Sequence, residues 1–283
     1  MTQEERNVEA LRKGYALWDG EKGNAASAAH WLDLFADEID FRSAATGVPY
    51  TGTRKTKAAL QAYFTILAAE LRMERYTVQH MVAQGDRVVA LCHIVYHHKE
   101  TGRKLESLKA DSWRFNAEGK AVEFAEHYDT AAAVAAAPSV EERNTEILRK
   151  AYGKWSASKG DDKAVMAAAA HWVSLFADTV EFGSMGAAID ELKFSRNASN
   201  KAEVAQYFAD IAADWEMVDY VVKDYIAQGD KVVALCEVAW RHRRTGKIAR
   251  SLKSDSWRFS ADGQAIAFYE YFDTAATIAV ATA

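Results

Sequence analysis

Apolar residues spaced three and four apart open the chain. Val8, Leu11, Tyr15 and Trp18 fall on one face of a helix. A second helix carries Trp31, Leu32 and Phe35, and a short strand is expected over 39–42. A third helix begins near Thr56 and carries Leu60, Tyr63, Phe64 and Leu67. The period then changes to two, which predicts strands at about 73–84, 87–98, 105–116 and 121–130. Gly85-Asp86, Thr101-Gly102 and Glu118-Gly119 mark the turns between them. Helices first and an antiparallel meander afterwards predict an α+β fold.

The same order then recurs. Ala83-Gln84-Gly85-Asp86 and the strand up to Cys92 return at Ala227 to Cys236, with only Arg87 changed to Lys231. Asp111-Ser112-Trp113-Arg114-Phe115 returns unchanged as Asp255-Ser256-Trp257-Arg258-Phe259. His30-Trp31 returns as His171-Trp172, and Leu148, Tyr152 and Trp155 repeat the first helical face. The unit is about 140 residues long, enough to bury a core of its own. Two globular copies are therefore expected, 1–137 and 138–283. Pro138 and the helix-start signal Ser139-x-Glu141-Glu142 mark the boundary.

Composition narrows the partners. The chain is 49% hydrophobic and 27% charged, with net charge −5. That gives no electrostatic case for binding nucleic acid or an anionic membrane. No apolar run is long enough for a membrane helix, and the charged N-terminus lacks a signal peptide's apolar stretch. Cys92 and Cys236 hold the same strand position in each copy and read as buried free thiols, which fits a cytoplasmic location. No P-loop, GxSxG elbow or HExxH motif occurs.

Strand alternation places Asp111, Trp113 and Phe115 on one face, and Val122, Phe124, Glu126 and Tyr128 on one face of the next strand. Pairing Phe115 with Val122 and Trp113 with Phe124 sets Asp111 opposite Glu126, about 5 Å apart at Cβ. The second copy sets Phe259 with Ile266, Trp257 with Phe268 and Asp255 with Glu270. Two carboxylates beyond an aromatic floor favour one retained proton, and such a group can act as general acid or base. Lys109 and Lys253 share the same faces, so a salt-bridge network at a sheet interface or an open rim stands as the other reading. His127 becomes Tyr271 in the second copy, which argues against a shared role. Asp129 and Asp273 suit a helix cap or turn. The His97-His98 and Arg241–Arg244 clusters read as solvated hairpins.

Trp31-Leu32-x-Leu34-Phe35-Ala36-Asp37, Gly85-Asp86-Arg87-Val88-Val89, Asp111-x-Trp113-Arg114-Phe115 and Glu126-His127-Tyr128-Asp129 occur in an order that resembles the SnoaL-like branch of the nuclear-transport-factor-2-like superfamily. The resemblance implies two tandem cone-shaped domains, each a curved antiparallel sheet wrapped around helices. It implies packing as an intrachain pseudo-dimer, with further homo-oligomers left open. It also implies a pocket for a small apolar or aromatic molecule, and isomerase or lyase chemistry without metal or organic cofactor. Carried over by position, Asp111, Glu126, Asp255 and Glu270 are the catalytic candidates. Ligand-binding candidates are Trp18, His30, Trp31, Tyr63, Trp113 and Tyr128 in the first copy. In the second they are Trp155, His171, Trp172, Tyr207 and Trp257. A non-catalytic binding protein and an assembly scaffold of the same fold stay open beside the enzyme. The segments 42–50 and 183–191 differ between copies, and in the family resembled that segment rims the pocket.

Overall fold

The computed structural model describes residues 1–43 and 47–282. The chain divides into two compact units, Met1–Pro138 and Ser139–Ala283. The first runs α1 (Gln3–Gly20), α2 (Ala25–Leu34), β1 (Phe35–Ser43), β2 (Gly52–Thr56), α3 (Lys57–Glu70), β3 (Leu71–Gln84), β4 (Arg87–His98), β5 (Lys104–Phe115), β6 (Ala121–Tyr128) and α4 (Thr130–Ala136). The second repeats it: α5 (Val140–Ala157), α6 (Asp162–Leu175), β7 (Phe176–Ser184), β8 (Asn197–Asn200), α7 (Lys201–Asp214), β9 (Trp215–Gln228), β10 (Lys231–His242), β11 (Ile248–Phe259), β12 (Ala265–Phe272) and α8 (Thr274–Ala281).

Local chemistry starts each unit in the same way. Thr2 and Glu5 form a capping box on α1, and Ser139 and Glu142 form one on α5. Gly85 and Gly229 take φ of 60° and 59° at the β3–β4 and β9–β10 turns, where a side chain would be strained. The Asp129 carboxylate accepts from the Ala132 amide at 2.9 Å and caps α4, and Asp273 does the same for α8. These two helices end the strands at Tyr128 and Phe272, short of the predicted 130.

Each unit holds a six-stranded sheet, in the order β2-β1-β6-β5-β4-β3 and β8-β7-β12-β11-β10-β9. The meander is antiparallel as expected, but β1 pairs parallel to β6 and β7 parallel to β12. Those partners are far apart in sequence, so no tight hairpin dictates an antiparallel pairing. The β5–β6 register sets Trp113 opposite Phe124 and Asp111 opposite Glu126. A bulge after Arg114 then places Phe115 opposite Ala121 instead of Val122. In the second unit Phe259 faces Ala265 instead of Ile266, for the same reason. Phe35, expected on a helix, takes extended backbone and opens β1. Its ring packs at 5.4 Å from Trp113.

The core lies between the helices and one face of each sheet. Trp31 stacks on Trp113 at 5.2 Å, and Trp113 meets Phe124 at 4.5 Å. Trp172, Trp257 and Phe268 repeat this at 5.1 and 4.4 Å. His98, read above as part of a solvated hairpin, is 1% exposed and bonds Glu70 of α3 at 3.1 Å. His242 is likewise buried, edge-on to Trp215. Each is the last residue of its strand, and alternation turns it inward.

Leu148 on α5 is fully buried, whereas a Cβ at Gly153 of the same helix would meet open space. Leu148→Ala is expected to cost about 2–5 kcal/mol of stability. Gly153→Ala is expected to add up to about 1 kcal/mol. Urea denaturation of the two variants checks both signs.

Candidate functional site

Alternation along β5 turns Lys109, Asp111 and Trp113 to one face, and β6 adds Phe124, Glu126 and Tyr128. Tyr15 of α1, Tyr76 of β3 and Tyr63 of α3 close over them. Asp111 and Glu126 are 1% and 4% exposed. The Lys109 ammonium lies between them, 3.2 Å from Asp111 and 2.6 Å from Glu126. The Tyr15 hydroxyl donates to Asp111 Oδ2 at 2.7 Å and accepts from Trp113 Nε1 at 2.9 Å. Tyr76 donates to the same Asp111 oxygen, and Tyr63 donates to Glu126 at 3.3 Å.

The second unit rebuilds this cluster. Lys253 pairs with Asp255 and, at 2.9 Å, with Glu270. Tyr152 and Tyr220 donate to Asp255 at 2.6 and 2.7 Å, and Tyr207 donates to Glu270 at 2.8 Å. One difference touches the carboxylates. Ser184 donates to Glu270 at 2.6 Å, whereas its counterpart Ser43 makes no hydrogen bond to Glu126. Glu126 therefore accepts one hydrogen bond fewer than Glu270.

Each cluster sits at the wall of an aromatic cavity. The spaces are about 660 Å³ in the first unit and 830 Å³ in the second, mouths included. Trp18, Trp31, Tyr63, Trp113 and Tyr128 line the first. Trp155, Trp172, Tyr207 and Trp257 line the second. His30 and His171, expected at the pocket mouth, line neither. His171 instead lies 3.5 Å from Lys154 on the neighbouring helix α5. Partial burial first, and that lysine second, lower its pKa. Among the described residues no group of three His, Cys, Asp or Glu is placed to hold a metal ion.

The electrostatics follow from one cation facing two anions in an apolar place. Burial disfavours the Lys109 ammonium, but Asp111 and Glu126 outweigh that and hold its pKa above the ordinary lysine value. Burial pushes the Asp111 carboxyl up, Lys109 pulls it back, and Glu126 adds to the rise. The net direction is upward, because burial outweighs the pull of Lys109. Burial first, and the nearby Asp second, push the Cys92 and Cys236 thiols up to about 12. Both cysteines are free and buried, and at neutral pH both are unreactive thiols.

The sequence pointed to the carboxylates but missed the tyrosines Tyr15, Tyr76, Tyr152 and Tyr220. Their recurrence in both copies was the available signal. Helical spacing puts Tyr15 and Tyr152 on one apolar helix face, and both are buried.

A family model described as the SnoaL-like domain matches residues 12–124. The second unit repeats the same strand order and the same cluster. The chain is also similar to solved structures that each cover about half of it. An NTF2-like protein from Burkholderia pseudomallei is 20% identical, covers 49% of this chain and 100% of its own, and has a TM-score of 0.42. One from Burkholderia xenovorans is 23% identical over 49% and 98%, with a TM-score of 0.41. A Catenulispora acidiphila protein with a ketosteroid isomerase-like fold, in complex with trimethylamine, is 12% identical over 48% and 92%, with a TM-score of 0.38. No curated protein matches. Among the described residues no helix is long and apolar enough to cross a membrane.

The raised Asp111 pKa fixes a sign. Between the ordinary carboxylate range and the raised value, the folded chain holds more proton than the unfolded one. Stability therefore falls as pH rises through that window. Lys109→Met removes the compensating charge and widens the window. It is expected to cost about 3–5 kcal/mol at neutral pH, with part of the loss regained on acidification toward the carboxylate range. Urea denaturation across pH measures this. A loss that does not shrink on acidification contradicts the arrangement.

Proposed function

We propose that each cavity binds a small, largely aromatic or apolar molecule carrying a carbonyl group, and catalyses proton transfer beside that carbonyl. The observation that carries this reading is the buried Lys–Asp–Glu cluster at the wall of an aromatic cavity. An ammonium aimed into a dry site stabilises the oxyanion that forms when a carbonyl compound loses an α-proton. A carboxylate next to it can take that proton. The class of reaction is a cofactor-independent isomerisation or elimination. The proton returns at another carbon in the first case, and a leaving group departs in the second.

The roles divide by hydrogen bonding. Asp111 Oδ2 is engaged by two tyrosine hydroxyls, and its other oxygen faces Lys109. We assign it to positioning Lys109, with Lys109 polarising the carbonyl. Glu126 has more free acceptor capacity and is the base. Asp255, Lys253 and Glu270 take the same roles in the second domain, where Ser184 further engages the base. The buried free thiols suit a reducing cytoplasm.

One observation favours a non-catalytic binding protein instead: every carboxylate in both clusters is paired with the lysine. Deuterium uptake into the methyl group of 2-acetylnaphthalene, followed by proton NMR in heavy water, separates the two readings. Exchange above the buffer rate is expected, and it should fall about 100-fold in Glu126→Gln/Glu270→Gln with binding retained. Binding without exchange favours the non-catalytic protein. Absence of both contradicts a carbonyl-binding pocket.

A further inference from the structure

The two cavities share their cluster but differ on the wall beside it. In the first, Tyr128 stands directly opposite Lys109 in the β5–β6 ladder, and Tyr50 lines the same cavity. In the second, Phe272 replaces Tyr128 opposite Lys253, and Phe194 packs on it at 6.1 Å. Phenols in one cavity thus stand where the other has phenyl rings.

Those phenols are unusual in their hydrogen bonding. Tyr50 is 3% exposed. The Tyr50 hydroxyl has no hydrogen-bond partner among the described residues, that of Tyr128 has only the Ser43 hydroxyl beside it, and both line the cavity. A buried hydroxyl without a partner is destabilising, and such groups are rare unless something else satisfies them. Burial raises the pKa of both phenols, so at neutral pH each keeps a proton to donate. The second cavity meets no such cost, because phenyl rings need no partner.

We propose that Tyr50 and Tyr128 form an oxygen-binding subsite in the first cavity, which selects ligands carrying a second oxygen beside the carbonyl, while the second cavity takes the carbonyl compound without it. The position follows from the ladder. Tyr128 faces Lys109 across one strand pair, so the oxygen it meets lies near the carbonyl and not at the far end of an aromatic body. The two domains would then handle related molecules that differ in one oxygen substituent. This inference rests on the carbonyl-binding reading above.

The test compares two probes on the full chain: 2-acetylnaphthalene and 2-(hydroxyacetyl)naphthalene, the same ketone with one hydroxyl on its methyl group. Calorimetric titration is expected to show one site that prefers the hydroxylated ketone about ten-fold and one site without that preference. Tyr50→Phe and Tyr128→Phe should abolish the preference and leave the affinities of the second site for both ketones unchanged. Equal preference at both sites overturns the subsite while leaving the pocket reading intact. Failure of both ketones to bind overturns both. Thermal unfolding of the same variants adds a readout that needs no ligand. Deleting an unsatisfied hydroxyl should leave Tm unchanged or raise it. A clear fall in Tm would mean that the hydroxyls serve the fold, and would overturn the proposal.

Discussion

Each domain is organised around one buried ammonium shared by two buried carboxylates. Lys109 and Lys253 are 10% and 11% exposed at the side chain, and the four carboxylates they meet are nearly inaccessible. Taking three charges out of water is costly, and their mutual attraction offsets this only with good geometry and further hydrogen bonds. The surrounding structure supplies both. Strand alternation presents Lys109 and Asp111 on one face, and the β5–β6 register adds Glu126. Helix α1 delivers Tyr15 to Asp111, and α3 delivers Tyr63 to Glu126. The helices are thereby tied to the sheet by polar contacts as well as by aromatic packing. A one-residue slip of β6 would turn Glu126 away from the cavity and leave Lys109 with one carboxylate.

The duplication shows which parts of this arrangement go together. Both copies keep the lysine, both carboxylates, the tyrosines Tyr15/Tyr152, Tyr76/Tyr220 and Tyr63/Tyr207, and the tryptophan that donates to the first of them. Two differences lie beside the cluster. Ser184 reaches Glu270 where Ser43 does not reach Glu126, and the phenols of one wall become phenyl rings in the other. Shared chemistry with altered selectivity is the simplest physical account of that division.

Much of this was readable from residue order. Period-two runs gave the meander, and matching Trp113 with Phe124 gave the register that brings Asp111 to Glu126. Where the reading erred, a local device intervened. The bulge after Arg114 moved Phe115 from Val122 to Ala121, and alternation alone contains no bulges. The parallel β1–β6 pairing joins segments with no turn between them, so no local signal marks it. The tyrosine donors come from α1 and β3, remote in sequence from Asp111, and only the folded chain brings them together. His30 and His171 show the converse: they recur in both copies, yet neither lines the two aromatic cavities. Residues 44–46, in the segment expected to rim the first pocket, lie outside the described residues.

The most direct test of the central claim is nitrogen-15 NMR of the lysine side chains in the intact chain. A buried ammonium hydrogen-bonded to two carboxylates exchanges its protons slowly and stays charged above the ordinary lysine range. The account predicts two protected ammonium signals, one lost in Lys109→Met and the other in Lys253→Met, that persist as pH rises through the range where surface lysines titrate. Neutral amines at those positions, or ammonium protons exchanging as fast as those of surface lysines, would contradict it.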